Sequence, residues 1–189
     1  MLQDLSEAYL RTGNFEQAGN VLQDAVALKR DIGNTDDLAL ALNNLGHYWY
    51  RAAAYDDAIA TLENGLDIVS TTEARATAYL YWSLADVYRT IGMAADAERY
   101  YNTARKLAGD EEYLYIGVML SFAMMRCMQG YWHDADHILN HIVQTDKSST
   151  QTTMLKLLKS AVNAMIHHDA YEDLNIAIVE LDQQGARLK

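Results

Sequence analysis

Three histidines, His133, His137 and His141, recur every four residues, a spacing that lines imidazoles along one helix face, where two of them can ligate zinc or nickel. The same segment carries Ala135, Leu139 and Ile142 at core spacing. The three rings are therefore left toward solvent, where a polar face needs no metal, and no cofactor is expected. The single cysteine, Cys127, would act as a nucleophile only beside an activating base, but its neighbours are Met124, Met125 and Met128, so it reads as an inert buried thiol. Acidic pairs at Asp56-Asp57, Glu111-Glu112 and Glu172-Asp173 stand at predicted helix starts, where negative charge is favourable. No His-Glu-x-x-His, Gly-x-Ser-x-Gly, phosphate-loop or calcium-loop pattern occurs, and catalysis is not expected.

Aromatic rings carry more promise. Tyr50, Tyr79 and Trp82 offer large contact areas with hydrogen-bonding tips, the kind of side chain that anchors protein partners or stacks on a sugar or similar ring.

What must position these residues is a repeat. The signature Leu5-Ser6-x-x-Tyr9 returns as Leu45-Gly46-x-x-Trp49, Leu84-Ala85-x-x-Tyr88, Phe122-Ala123-x-x-Arg126 and, more weakly, Ala161-Val162-x-x-Met165; successive first positions differ by 40, 39, 38 and 39. A second signature follows each: Ala18-x3-Leu22, Ala58-x3-Leu62, Ala97-x3-Tyr101, Ala135-x3-Leu139 and the degenerate Leu174-x3-Ile178. Both stripes have helical spacing. Turn signals separate them at Thr12-Gly13-Asn14, Ala52-Ala53-Ala54, Ile91-Gly92 and Gln129-Gly130, where glycine can end a helix in the left-handed conformation. Each repeat reads as helix, tight turn, helix. The alanines mark where the second helix approaches the first closely, and the large partners, Leu5 with Tyr9 and Leu22 or Leu84 with Tyr88 and Tyr101, are expected to fill the remaining space. Gly33-Asn34 and the acids after them suit the end of one helix and the start of the next.

Composition sets limits on partners. A net charge of −11 and a pI near 4.8 oppose direct nucleic-acid binding and anionic membrane surfaces. One cysteine cannot form an internal disulfide, the first residues lack a basic, apolar leader, and no apolar run reaches bilayer length, so a cytoplasmic location is expected. Proline is absent, and no Gly/Pro-rich linker divides the chain.

These two signatures resemble the tetratricopeptide (TPR) pattern W-x2-L-G-x2-Y followed by A-x3-F, over essentially the whole chain. The resemblance implies an all-α fold, a right-handed α–α superhelix or TPR-like solenoid, with about five helix-turn-helix repeats near 1–36, 37–72, 73–110, 111–149 and 150–184 in a single domain spanning 1–189. The period, near 39, is longer than the usual ~34, and the closing proline is missing. Leu42-Asn43-Asn44-Leu45-Gly46 after Ala39-Leu40-Ala41 is similar to the longer repeats of maltose-activator-like LuxR-type transcription factors and related STAND signalling NTPases. That likeness implies a sensor or scaffold arm cut from a larger bacterial regulator.

In TPR arrays the first helix of each repeat lines the concave face. By register, that face here takes Gln3 and Glu7, then Asn43, His47, Tyr50 and Arg51, then Tyr79, Trp82, Asp86 and Arg89, then Leu120, Met124, Cys127 and Met128, and finally Lys159 and Asn163. The strip is expected to bind a protein or peptide, the alternatives being a small-molecule receptor or an oligomerisation module. A chaperone-tail carboxylate is disfavoured because Glu7 and Asp86 would repel it. Ile176 and Val179, on a final helix predicted from Tyr171 to Gln183, would leave an apolar end available for self-association.

Overall fold

Apolar residues three and four apart fold into helices wherever the structure, a computed structural model, describes the chain: residues 2–69, 74–142 and 149–167. Among these residues there are nine helices and no strand: α1 (Leu2–Arg11), α2 (Phe15–Ile32), α3 (Thr35–Arg51), α4 (Tyr55–Ile68), α5 (Ala74–Thr90), α6 (Ala94–Ala108), α7 (Glu112–Met128), α8 (Trp132–Asn140) and α9 (Ser149–His167). None of the described helices is long and apolar enough to cross a membrane. Backbone contacts group the chain into two units, Met1–Gly109 and Asp110–Lys189.

In the first unit α1 packs on α2, α3 on α4 and α5 on α6, while α2 meets α3, α4 meets α5 and α3 meets α5. In the second, α7 packs on α8 and α9, and α8 also meets α9. Helices α3 and α5 each thus lie between their own second helix and a neighbouring hairpin, the contact pattern of stacked helical hairpins.

One turn closes all four described hairpins. Gly13, Gly92 and Gly130 take φ of 78°, 83° and 79°, and Ala53 takes 58° at the equivalent place. A chain-reversing bond from the next residue then reaches back five positions: Asn14 N donates to Tyr9 O, Ala54 N to Trp49 O, Met93 N to Tyr88 O and Tyr131 N to Arg126 O, each at 2.9 Å. The second helix starts on that residue's carbonyl, which accepts from the signature alanine, Ala18, Ala58, Ala97 or Ala135, at 3.0–3.1 Å. No side chain caps these four starts. Between hairpins, in contrast, Asn34 caps α3 by accepting from the Asp36 and Asp37 N–H groups at 3.1 Å, after Gly33 ends α2 in the left-handed region, as its sequence leads one to expect.

The four alanines are fully buried, as are Leu62, Tyr101 and Leu139. The small residue of the first signature is buried as well: Ser6, Gly46, Ala85 and Ala123. At Gly46 a Cβ would come within 2.6 Å of the Leu62 side chain, so α3 and α4 touch there with no room for a methyl. The role expected of Leu5 is corrected. It is 43% exposed, whereas Leu45 and Leu84 are buried in core clusters with Leu22 and Leu62 respectively. The signature leucine packs on the second helix of the preceding hairpin rather than its own, and no described hairpin lies before Leu5. The predicted final helix, with Leu174, Ile176, Ile178 and Val179, and the acidic pair Glu172-Asp173 lie outside the described residues.

Candidate functional site

Helices α1, α3 and α5 carry the expected strip residues of the first three repeats, and the first unit ties several of them into cross-helix rungs. Arg51 Nη1 lies 3.4 Å from Glu7 Oε2. Ser83 Oγ donates to Asn43 Oδ1 at 2.8 Å, and the hydroxyls of Tyr50 and Thr90 share a hydrogen bond at 3.1 Å, each joining residues 40 apart in sequence. Register explains the pairing: a repeat step near 39 sets the same helical position of successive first helices side by side. His47, Tyr50 and Tyr55 form a chain of tilted rings, with centroids 6.0 and 6.2 Å apart. Tyr79 and Trp82 stack at 6.2 Å and 24°, and the Arg75 guanidinium lies over the Tyr79 ring at 5.8 Å. Both stacked rings are half-buried, so part of each is open to solvent.

A polar network stands behind the strip. Tyr101 Oη donates to Asp86 Oδ1 at 2.5 Å, Arg89 Nε donates to Tyr101 Oη at 3.1 Å, and Arg89 Nη2 reaches Asp86 Oδ1 at 3.4 Å. Burial pushes the Asp86 carboxyl above the usual carboxylate range, against the opposing pull of the Tyr101 hydrogen bond and the charges of Arg89 and His47. Burial, then the Asp86 charge, raises the Tyr101 phenol. His47 is exposed, yet the protein packed around its ring lowers its pKa first through desolvation and second through Arg51, partly offset by Asp86 and Glu7. His47 also lines a cleft of about 370 Å³ with Asp4, Glu7, Leu10, Leu22 and Asn44.

The first unit therefore brings together Glu7, Asn43, His47, Tyr50, Arg51, Tyr79, Trp82, Asp86 and Arg89. Asp86 and Arg89 are engaged with Tyr101 rather than offered to solvent, their side chains being only 22% and 11% exposed. Tyr101 was expected to be packing alone. A tyrosine where Leu22, Leu62 and Leu139 stand in the other repeats is the sequence signal, because a phenol in an apolar position must find a buried partner.

The second unit places Met124 and Cys127 half-buried and Met128 66% exposed on α7. Leu120 is buried at 6% and offers no accessible surface, a correction that follows from α7 being covered by both α8 and α9. Burial raises the Cys127 thiol, in keeping with an unreactive sulfur. On α9, Lys159 is half-buried and Asn163 exposed. His133 and His137 are exposed on α8, and His141 sits just beyond its end, with the His137 and His141 rings 4.2 Å apart and His141 Nδ1 2.7 Å from the His137 carbonyl. That contact turns one nitrogen of His141 toward the backbone. The Gln3 side chain lies outside the described set.

Comparison with known proteins identifies the class of fold. No protein-family model matches the sequence, and no curated protein matches it. Solved structures do. BtubC (BKLC) from P. vanneervenii is similar with a TM-score of 0.74 at 15% identity, over 99% of this chain and 79% of that one. A putative kinesin light chain of Podosopora anserina with nearly identical TPR-like repeats matches in its Q17M form with a TM-score of 0.72 at 14% identity, over 98% and 95% of the two chains. A second structure of that protein gives 0.70 at 13%, over 97% and 94%. The chain has a TPR-like, all-α helical-repeat fold.

Proposed function

We infer that the chain is a non-enzymatic protein-binding scaffold whose working surface is the α1–α3–α5 strip. The observation that carries this reading is the Tyr79–Trp82 stack, held half-exposed beside rungs that fix the neighbouring polar side chains. Rings already immobilised lose little rotamer freedom when a partner lands on them, which is the property of an anchor. The regulator context belongs to the same proposal. It rests on the Leu42-Asn43-Asn44-Leu45-Gly46 run and its likeness to bacterial sensor arms, with a cytoplasmic location and a protein or peptide ligand.

The test is a displayed peptide library panned against the purified chain, with Trp82→Ala and Tyr79→Ala compared in parallel. Selected peptides should lose at least about tenfold in affinity for Trp82→Ala, the ordinary size of an aromatic anchor, while its circular dichroism stays that of the parent. Peptides that bind both variants as well as the parent would remove the strip from consideration. Sugars that raise the melting temperature only in the parent would favour the small-molecule reading instead.

A further inference from the structure

A second face of the first unit carries different chemistry. Tyr81 and Tyr88 are seven residues apart on α5, two turns along one face and separate from the face of Tyr79, Trp82 and Asp86. Both pack on Tyr100 of α6: Tyr81 and Tyr100 stack at 5.7 Å and 25°, and Tyr88 and Tyr100 meet at 5.2 Å and 38°. Opposite them α4 presents Glu63 and Asp67. Tyr81, Tyr100, Glu63 and Asp67, with Leu66, Arg99 and Thr103, line an open cleft of about 450 Å³ among α4, α5 and α6.

Three observations define what fits there. Glu63 and Asp67 are exposed, lie one helical turn apart and have no salt-bridge partner among the described residues. Like charges at that spacing repel, a cost that a cation between them would remove. The rings give the same preference from the other wall, since aromatic faces attract cations. The fold already displays the contact: the Arg99 guanidinium sits 4.6 Å from the centre of the Tyr100 ring while bonding to Asp96 at 3.1 Å. The field of Glu63 also reaches the tyrosines, for the Tyr88 phenol is raised by burial first and then by Tyr100 and Glu63.

We propose that the α4–α5–α6 cleft is a docking site for a lysine or arginine side chain of a basic partner segment, with Glu63 and Asp67 holding the charge and Tyr81 and Tyr100 receiving the aliphatic stem. A flexible basic side chain suits this wall because its methylenes can lie along the rings while the head stays beside the carboxylates. The net charge of −11 steers such a segment toward the chain, and the cleft supplies the place where it stops. This site is independent of the α1–α3–α5 strip, and each can fail without the other.

The experiment titrates the full chain with a blocked trilysine peptide at about 0.15 M salt, where exposed charges more than about 8 Å apart are largely screened, and follows ¹H–¹⁵N shifts. The largest shifts are expected at Glu63, Asp67, Tyr81, Tyr100 and Thr103. The pair Glu63→Gln and Asp67→Asn together should weaken binding at least about tenfold, and the pair Asp24→Asn and Asp31→Asn, exposed on α2 and equal in charge removed, less than about twofold. A blocked trinorleucine peptide should cause no shifts in the cleft. Equal losses from the two charge-matched pairs, or shifts spread over the acidic surface, would overturn the site. Spermidine binding the cleft more tightly than trilysine would overturn the assignment to a peptide.

Discussion

The phenol of Tyr101 donates to the carboxylate of Asp86 across the α5–α6 hairpin at 2.5 Å, and it does so from the repeat position that holds leucine in the other described hairpins. The partner position varies with it. Glu7, His47, Asp86 and Met124 follow the signature leucine or phenylalanine by two residues in successive repeats, and only the aspartate faces a tyrosine. A hydrogen bond to a charged acceptor is worth about 1.5–3 kcal/mol, so Tyr101→Phe should destabilise the chain by about that amount at neutral pH, and a double-mutant cycle with Asp86→Asn should return a coupling of about 1–3 kcal/mol. Urea unfolding measures both. Because the bond favours the ionised carboxylate, the cost of Tyr101→Phe should shrink as the pH falls and Asp86, whose pKa is raised by burial, takes up its proton. A cost that stays constant from pH 8 to pH 4 would contradict this geometry.

His47 is shifted in the other direction from Asp86. Its folded pKa is lowered by desolvation and by Arg51, so the stability contributed by its neutral form is present above the unfolded value of about 6.5 and lost as the pH falls through the lower folded value. Asp86 and Glu7 oppose the shift without cancelling it. His47→Gln should therefore lose less stability than the parent between pH 7.5 and pH 5, read as a smaller drop in melting temperature. Identical drops would mean that the ring titrates as freely in the folded chain as in the unfolded one.

Ala53 occupies the left-handed region with φ of 58° where the other three hairpin turns place glycine. A side chain there costs about 1–2 kcal/mol, of which part returns as the greater unfolded-state freedom of glycine. Ala53→Gly should stabilise the chain by about 1 kcal/mol, while Gly92→Ala should destabilise it by a similar amount. Chemical unfolding of the pair checks the equivalence of the turns directly.

Gly46 tests the contact between α3 and α4. An alanine would gain about 1 kcal/mol of helix propensity, but its Cβ would press at 2.6 Å on the fully buried Leu62 side chain, at about 1–3 kcal/mol. Gly46→Ala should be destabilising on balance. Combined with Leu62→Ala, which opens space beside it, the two changes should cost less than their sum. Strict additivity would place the clash elsewhere.

The helix pairs were legible because their cause is local: apolar stripes at helical spacing and a small residue every repeat. Register placed Asn43 and Tyr50 on one strip, and their pairing with Ser83 and Thr90, each 40 residues on, is a consequence of the repeat step that the strip alone did not spell out. What register could not supply is which hairpin a side chain serves. Leu5 is exposed because its kind packs backward onto the preceding hairpin, and Leu120 is buried because α7 is covered from two sides. The Asp86–Tyr101–Arg89 network was hidden for a related reason. Periodicity marks a position as interior without saying that a polar tip there must bond, and only the departure of Tyr101 from leucine carries that information. The tyrosine cleft escaped notice because its walls come from three helices whose outward faces share no motif.

The bonds common to all four hairpin turns are between peptide groups, from the reversing bond five residues back to the alanine N–H that begins the next helix. Beyond its left-handed position, a joint of that construction makes little demand on side chains, and Asn14, Ala54, Met93 and Tyr131 occupy the same place without altering it. Such corners can be rewritten while the hairpin persists, so the fold asks for few particular residues at the joints, in keeping with a likeness to BtubC over 99% of this chain at 15% identity.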